Sequence, residues 1–339
     1  MEVYKCVAGA GKTTKCIEIM KERKNGLYLA YNNSVVNEMK EHGLLAMTID
    51  SLFVSFIIPK IQNLIPIFAN KKNIKLIIEV NEQYRYISNI RLKEDGYFYH
   101  KNNRTFFNLQ MKQKELKSYK TQKNYYAMSK IITEDEINLT HMLREDISNY
   151  ILKKYDKEIV KMLYQRFDYI IIDEAQDLKS YKEKFAESIQ KYGGEFIVLG
   201  DVNQNINGGG KWFEQLEGTA YKIKSKRVPN EICEWINTNL KIEIEGEKTN
   251  YKIEKIKLNE ALNLDDGKRT MLYYSASGNE IKNIINNWKG PISTIKKIKG
   301  STIKGDIVVV AKSLNKKDVY TAFTRTTQNC YYTCNIKCD

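Results

Sequence analysis

No stretch of this 339-residue chain stays apolar for the roughly 20 residues that a membrane-spanning helix needs, so the sequence offers no such span. Cysteine is sparse: Cys6, Cys16, Cys233, Cys330, Cys334 and Cys338 are too scattered to read as a disulfide framework. The even spacing of the last three invites a metal, but no Cys-x-x-Cys pair and no nearby His completes a tetrahedral set. There is no internal repeat and no low-complexity segment. Met1 to Lys5 lead straight into a glycine-containing loop, which leaves no room for a secretory leader; the expectation is a cytoplasmic protein with no membrane partner. Acid is the charge in deficit, with 41 Asp and Glu against 55 Lys and Arg, a net +14. A positive chain suits a polyanion such as nucleic acid, although a composition rich in Lys, Ile, Asn and Tyr accounts for part of the excess. Hydrophobic residues make up 42%, enough for a sizeable core, and the length suits two domains.

What the chain does have begins at once: Cys6-Val7-Ala8-Gly9-Ala10-Gly11-Lys12-Thr13-Thr14. The residues before it suit a short strand, and the spacing of Cys16, Ile17, Ile19 and Met20 predicts a helix after it. Strand, small-residue loop and helix make a phosphate cradle. Gly9 and Gly11 let backbone N–H groups curl toward an anion, with Ala8, Ala10 and Thr14 completing the loop. The helix N-terminus adds its dipole, Lys12 can reach the β- and γ-phosphates, and the Thr13 hydroxyl can hold magnesium. The strict pattern wants Gly where this chain has Cys6.

Alternating elements follow. Gly26 to Tyr31 reads as a strand with Asn32-Asn33-Ser34 opening a helix, and Leu44 to Met47 as a strand with Thr48 opening the next. This predicts an α/β fold with a parallel sheet covered on both faces. From about Leu64 to Lys130 the texture changes, with a strand-like pair, Tyr86 to Leu92 and Tyr97 to Phe107, around the hairpin signal Asp95-Gly96. A basic run from Lys112 to Lys123 follows, with Tyr119, Tyr125 and Tyr126 in or beside it. This predicts an inserted subdomain whose cations and rings suit a single strand of nucleic acid, or equally a solvated surface over core tyrosines. Ile137 to Tyr164 is predicted helical. Tyr169 to Ile172 then delivers Asp173 and Glu174 to the end of a buried strand, where open parallel sheets place ligands; Asp173 can hold magnesium and Glu174 can polarise water. Phe196 to Leu199 similarly delivers Gly200 and Gln204, the latter placed to meet a γ-phosphate. Trp212 and Phe213 suit base stacking or the core. Asn230 is the expected cap of a helix running to Asn239. Strands at Met271 to Tyr274, Ile307 to Val310 and Cys330 to Cys334, and helices at Glu280 to Trp288 and Val319 to Arg325, predict a second α/β domain without its own phosphate loop.

The order of these motifs resembles a superfamily 1 helicase of the UvrD/Rep type. Ala8 to Thr13 is similar to its motif I, Tyr31 to Met39 to motif Ia, Thr48 to Leu52 to the T-F-H-S-L stretch, and Asp173-Glu174-Ala175-Gln176-Asp177 to motif II. Gly200 to Ile206 resembles motif III, Arg227 falls where motif IV has its arginine, Thr294 to Thr302 resembles motif V, and Tyr320 to Arg325 resembles motif VI. The resemblance runs from Cys6 to about Tyr332. It implies two RecA-like P-loop NTPase domains with a small inserted subdomain in the first: residues 1–63 and 131–222 as the first, 64–130 as the insertion, and 223–339 as the second.

The resemblance further implies an ATP-dependent DNA helicase or translocase using magnesium on single-stranded DNA, with RNA also admitted by the motifs. Lys12 would cradle phosphate, Thr13 and Asp173 hold the metal, Glu174 activate water, Gln176 and Gln204 sense the γ-phosphate, and Arg227 and Arg325 act as fingers from the second domain. Tyr31, Asn33, Thr48, Trp212, Thr294, Lys296 and Lys297 are the expected nucleic-acid contacts. The alternative is a nucleotide-gated nucleic-acid sensor, or an ATPase that recruits a protein partner, neither of which unwinds. The chain departs from the pattern in several places. With only five residues before Cys6, the family's upstream adenine-reading glutamine is not expected here, and Lys226 stands where an aromatic usually precedes the motif IV arginine. Both changes point to weak base selectivity. Asp50 and Lys296 replace histidines of motifs Ib and V, and Arg227 and Thr294 are too close for the family's large second insertion.

Overall fold

The computed structural model describes residues 1–77, 89–100, 104–110, 115, 129–206, 208–275 and 278–337. The chain divides into two compact units. One comprises Met1–Ala46, Tyr169–Leu178 and Glu195–Asp339; the other comprises Met47–Asp168 and Lys179–Gly194.

The first unit is built on two parallel sheets. Its β-branched and aromatic runs Tyr169–Ile172 and Ile307–Val310 are buried at every position, which a strand tolerates only where both faces of the sheet are covered. In the first sheet the order is Ala220–Lys222, Glu2–Cys6, Glu195–Gly200, Tyr169–Ile172 and Gly26–Ala30, all parallel, with Ala46–Thr48 at the edge. The register sets Lys5 beside Gly200, and Ile172 beside both Val198 and Leu29. The loops that leave Cys6, Ile172 and Gly200 therefore emerge together at one edge of the sheet. The second sheet orders Ile253–Lys255, Cys330–Tyr332, Ile307–Val310, Thr270–Tyr273 and Ile292–Thr294, again all parallel. The fold is thus α/β, with parallel sheets flanked by helices in the manner of two RecA-like domains.

Some local expectations change. Glu136–Leu139 is a strand and the helix begins only at His141, because the Thr140 hydroxyl accepts the Leu143 N–H and caps it there. The second half of the predicted hairpin is two antiparallel strands, Tyr97–His100 and Arg104–Asn108. Asn230 is the first helical residue and Pro229 occupies the cap position, its ring fixing φ at −58°. Cys330 and Cys334 are buried, and no group of three His, Cys, Asp or Glu among the described residues could hold a metal ion. No helix among the described residues is long and apolar enough to cross a membrane. Tyr86, the run Lys112 to Lys123 apart from Glu115, Tyr125, Tyr126 and Cys338 lie outside the described residues.

In the second unit, the helices His141–Tyr164 and Tyr181–Tyr192 pack together with the segment around Phe53. The Phe53 ring meets Tyr181 and Phe185 edge-on, at centroid distances of 4.9 and 5.2 Å. Beside them Asp50 pairs with Arg144 at 3.0 Å and Lys182 at 2.9 Å and accepts the Tyr181 hydroxyl. Burial pushes the Asp50 carboxyl up, but Lys182, Tyr181 and Arg144 outweigh it and hold its pKa below the usual range. Replacing Asp50 with alanine strands two buried cations, so Asp50→Ala is expected to cost about 2–4 kcal/mol of unfolding free energy. Denaturant titration measures it, and a loss below about 0.5 kcal/mol would mean that the cluster behaves as a solvated surface pair.

Candidate nucleotide site

The loop between Cys6 and the helix Lys12–Glu22 is shaped by two glycines in the left-handed region, Gly9 at φ 75° and Gly11 at φ 82°. They serve different needs. A Cβ on Gly9 would stand 2.5 Å from Ser225 Oγ and 2.8 Å from Arg227 Cβ, so the loop closes against the strand Lys224–Pro229 only with glycine there. The Lys226 N–H donates to the Gly9 carbonyl across this contact. Gly11 has open space around it and needs glycine for its backbone alone.

Past the loop lies a cavity of about 340 Å³. Gly9, Gly11, Lys12, Thr13 and Thr14 form one side of it, and Lys226, Arg227, Lys248, Thr302 and Arg325 face them, with Glu174 and Gln204 between. Its charges are arranged in depth. Asp173 is fully buried; the Tyr28 hydroxyl donates to its Oδ2 and the Glu174 N–H to its Oδ1, both at 2.7 Å. Burial and the neighbouring Glu174 push the Asp173 carboxyl above the usual range. Glu174, in the left-handed region at φ 54°, shifts the other way: burial opposes its charge, but Lys12, the Gln176 amide, Lys299 and Arg325 together hold it ionised. Lys12 is pulled down by burial, yet Glu174, Asp201 and Asp173 outweigh this and keep its ammonium protonated.

Elements outside the first sheet supply the other cations: Arg325 follows the helix Lys316–Phe323, and Arg227 lies on the strand Lys224–Pro229, which pairs with Glu245–Lys248 in a separate two-stranded sheet. Arg325 is buried at the end of the helix Lys316–Phe323 and is held by the Thr321 and Ser301 carbonyls while it donates to Gln204 Oε1 at 3.0 Å. Arg227 donates to Thr302 Oγ1 at 3.0 Å, and its buried Nε has no hydrogen-bond partner among the described residues. Burial and nearby Arg325 bring its pKa down to about 9. A hydrogen-bonded relay joins the parts. Gln176 donates to Glu174 Oε2 at 2.5 Å and accepts the Asp201 N–H at 3.0 Å; Gln204 donates to Asp201 Oδ2 at 2.8 Å and accepts Arg325.

Of the residues expected at the nucleotide, Gly9, Gly11, Lys12, Thr13, Thr14, Glu174, Gln204, Arg227 and Arg325 line the cavity. Ala8 and Ala10 are core residues, and the Ala8 N–H is taken by the Tyr320 hydroxyl. Gln176 is fully buried and reaches the cavity only through Glu174, so direct contact with a γ-phosphate does not fit its place. Trp212 is 7% exposed and stacks on Phe196 at 6.3 Å; packing in the core has taken the ring expected to meet a base. Thr48 is buried and spent on capping, accepting the Ser51 N–H. Thr294 caps the turn Ile295–Ile298, with Lys296 and Lys297 exposed on it. Asn33 is exposed and Tyr31 half-buried, and a Cβ on Gly300 would stand 3.8 Å from Asn32, so the loops carrying these groups approach each other.

Sequence reasoning missed Asp201, Tyr320 and Lys299 as site residues. All three lie inside motif-like stretches, but only pairing across the two sheets gives them a task. Lys299 donates to Asp177 Oδ1 at 2.5 Å and to the Gln204 carbonyl.

The donor set fits a magnesium–nucleotide complex: a glycine-shaped loop, a protonated lysine, an arginine Nε without a partner among the described residues, buried carboxylates, and a threonine on the cavity wall. Sheet topology and site together define a P-loop nucleotide-binding protein of the two-sheet kind. A family described as an AAA domain matches residues 4–210, and one described as the viral superfamily 1 RNA helicase core domain matches residues 117–334. Each match covers more than half of the chain, which belongs to the superfamily 1 helicases. No curated protein matches the sequence. Among solved structures, the PRRSV helicase is similar at 10% identity and a TM-score of 0.49, covering 98% of this chain and 52% of that one. Arterivirus nonstructural protein 10, a helicase, is similar at 12% identity and a TM-score of 0.47, and its complex with DNA at 12% and 0.45. This chain spans 52% to 60% of the length of those structures.

The two glycines give a paired prediction. Gly9→Ala must displace Ser225 and Arg227, and should weaken binding of a fluorescent nucleotide analogue by at least roughly tenfold. Gly11→Ala meets no neighbour and should cost only the left-handed strain, about 1–2 kcal/mol of stability. Equal binding losses in the two variants would contradict this packing.

Proposed function

We propose that this chain is an ATP-dependent helicase or translocase that couples hydrolysis to movement on single-stranded nucleic acid. The observation that supports it most is the relay from Glu174 through Gln176, Asp201 and Gln204 to Arg325, which ties the water-activating carboxylate on one sheet to a cation on the other. The domains we propose are residues 1–63 with 131–222, the insertion 64–130, and 223–339.

Glu174, held ionised, takes the proton of the attacking water. Lys12 with Arg227 and Arg325 meets the charge that grows on the transferred phosphoryl group. Magnesium would be held by Thr13 and Asp173 and would supply further neutralisation of phosphate charge. Since Arg227 and Arg325 both come from outside the first sheet, hydrolysis depends on closure of the cleft, and one closure per nucleotide lets two grips on a polymer alternate. Tyr31, Asn33, Lys296 and Lys297 are the polymer contacts we retain. For the polymer, the UvrD/Rep-type motifs favour DNA, and the match to a viral RNA helicase core favours RNA. We place the protein in the cytoplasm.

Hydrolysis of ATP at low salt, with and without single-stranded DNA or RNA, tests this reading. Stimulation by either polymer is expected, the stronger one naming the substrate. Turnover indifferent to both would favour a nucleotide-gated switch with a protein trigger. Glu174→Gln keeps shape and removes the base, so turnover should fall by at least about 100-fold; wild-type turnover would sink the assignment. No aromatic ring among the described residues lines the cavity, and stacking on one is worth about 1–3 kcal/mol per base, so kcat/KM for GTP should lie within roughly tenfold of that for ATP.

A further inference from the structure

The helix Lys316–Phe323 brings a second group to the cleft besides Arg325. Tyr320 is fully buried, and its hydroxyl lies between two elements of the first sheet. It accepts the Ala8 N–H of the phosphate loop at 3.0 Å and donates to Asp201 Oδ2 at 2.9 Å. The same Asp201 oxygen accepts the Gln204 amide, whose side-chain Oε1 accepts Arg325, five residues along from Tyr320. Tyr320, Asp201, Gln204 and Arg325 therefore form a closed circuit, with both ends on one helix segment of the second sheet. Burial and Asp201 both hold the Tyr320 proton on, so the hydroxyl remains a donor.

We infer that Tyr320 is a positioning residue: through its hydroxyl the second sheet sets the phosphate loop and Asp201 together, and passes the closure of the cleft to the hydrolytic groups. This rests on the proposed nucleotide hydrolysis and adds the device that regulates it. The circuit has an either–or character. Asp201 is buried and already accepts the Asn203 N–H on its other oxygen, so withdrawing Tyr320 takes one of its donors and strands the Ala8 N–H at the same moment. A shift of the helix thus acts on the loop and on the relay to Glu174 together. Tyr320 is not among the residues that line the cavity, and its effect is on competence rather than on binding.

The test is Tyr320→Phe, which keeps the ring and removes the hydroxyl. Steady-state hydrolysis is measured with and without single-stranded DNA and RNA, together with thermal melting. The expected result is a fall in kcat of roughly tenfold or more, with KM for ATP within about threefold and a smaller fold-stimulation by polymer. Asp201→Asn, alone and combined with Tyr320→Phe, completes a cycle in which the two losses are expected not to multiply. Wild-type kcat and stimulation in Tyr320→Phe, whatever its melting point, would overturn the inference and leave the functional proposal standing. Independent, multiplying effects in the cycle would do the same. A wild-type protein that hydrolyses no nucleotide removes both. Should Tyr320→Phe fail to fold, Asp201→Asn alone reads the link, and unchanged kcat and stimulation there overturn it.

Discussion

Asp173, Glu174 and Asp201 converge on a single ammonium, Lys12, and the rest of the structure is arranged around that imbalance. It follows from topology. Tyr169–Ile172 and Glu195–Gly200 are neighbours in a parallel sheet, and the phosphate loop leaves the strand on the other side of Glu195–Gly200, so all three loops end at one edge. Burying uncompensated carboxylates costs several kcal/mol each. The first sheet answers in part with neutral donors, Tyr28 to Asp173 and Gln176 to Glu174. The remaining compensation comes from the second sheet, where Lys299 and Arg325 lower Glu174 and Tyr320 donates to Asp201. The cleft is therefore electrostatically complete only when both sheets contribute. That is the physical basis for a nucleotide site that responds to how the two sheets are held.

Much of this was legible in the sequence, and the reasons differ by element. Tyr169–Ile172, Phe196 to Leu199 and Ile307–Val310 are short apolar runs bounded by polar loop residues, a pattern that only a doubly covered strand satisfies. The side chains that line the cavity were legible because local geometry places them: Lys12 opens a helix and Glu174 follows a strand. The residues that went astray are those whose role depends on distant partners. Trp212 looked available for a base until Phe196 covered it, and Gln176 looked like a phosphate ligand until Glu174 stood in front. Thr48 carried a helix-start signal and fulfils that role rather than a ligand's. Tyr320 gave the weakest signal of all. A tyrosine in an apolar helix reads as core, and only pairing with Ala8 and Asp201, more than 100 positions away, gives it a task.

The substitution of Asp50 for the expected histidine has a structural consequence within the second unit. The Asp50 carboxylate is engaged by Arg144, Lys182 and Tyr181. Thr48, capping the same short helix, is committed as well. The contact stretch that the motif resemblance implied there has become a packing element, which shifts the polymer-facing candidates to Tyr31, Asn33, Lys296 and Lys297 in the first unit.

These candidates lie on segments that also build the cleft, which gives coupling a short path. The stretch from Thr294 to Thr302 exposes Lys296 and Lys297 at one end. At the other it offers Lys299 to Asp177, the Ser301 carbonyl to Arg325 and the Thr302 hydroxyl to Arg227. The first two contacts are partly buried hydrogen bonds to charged groups, whose loss is costly, and the third is exposed; the lysines are open to a polyanion, Lys296 over the Tyr274 ring. A displacement imposed on the lysines by phosphates thus acts within a few residues on both arginines and on the Asp177 pair. No long pathway is needed: the segment proposed to meet the polymer and the segment that holds Arg227 and Arg325 are the same loop.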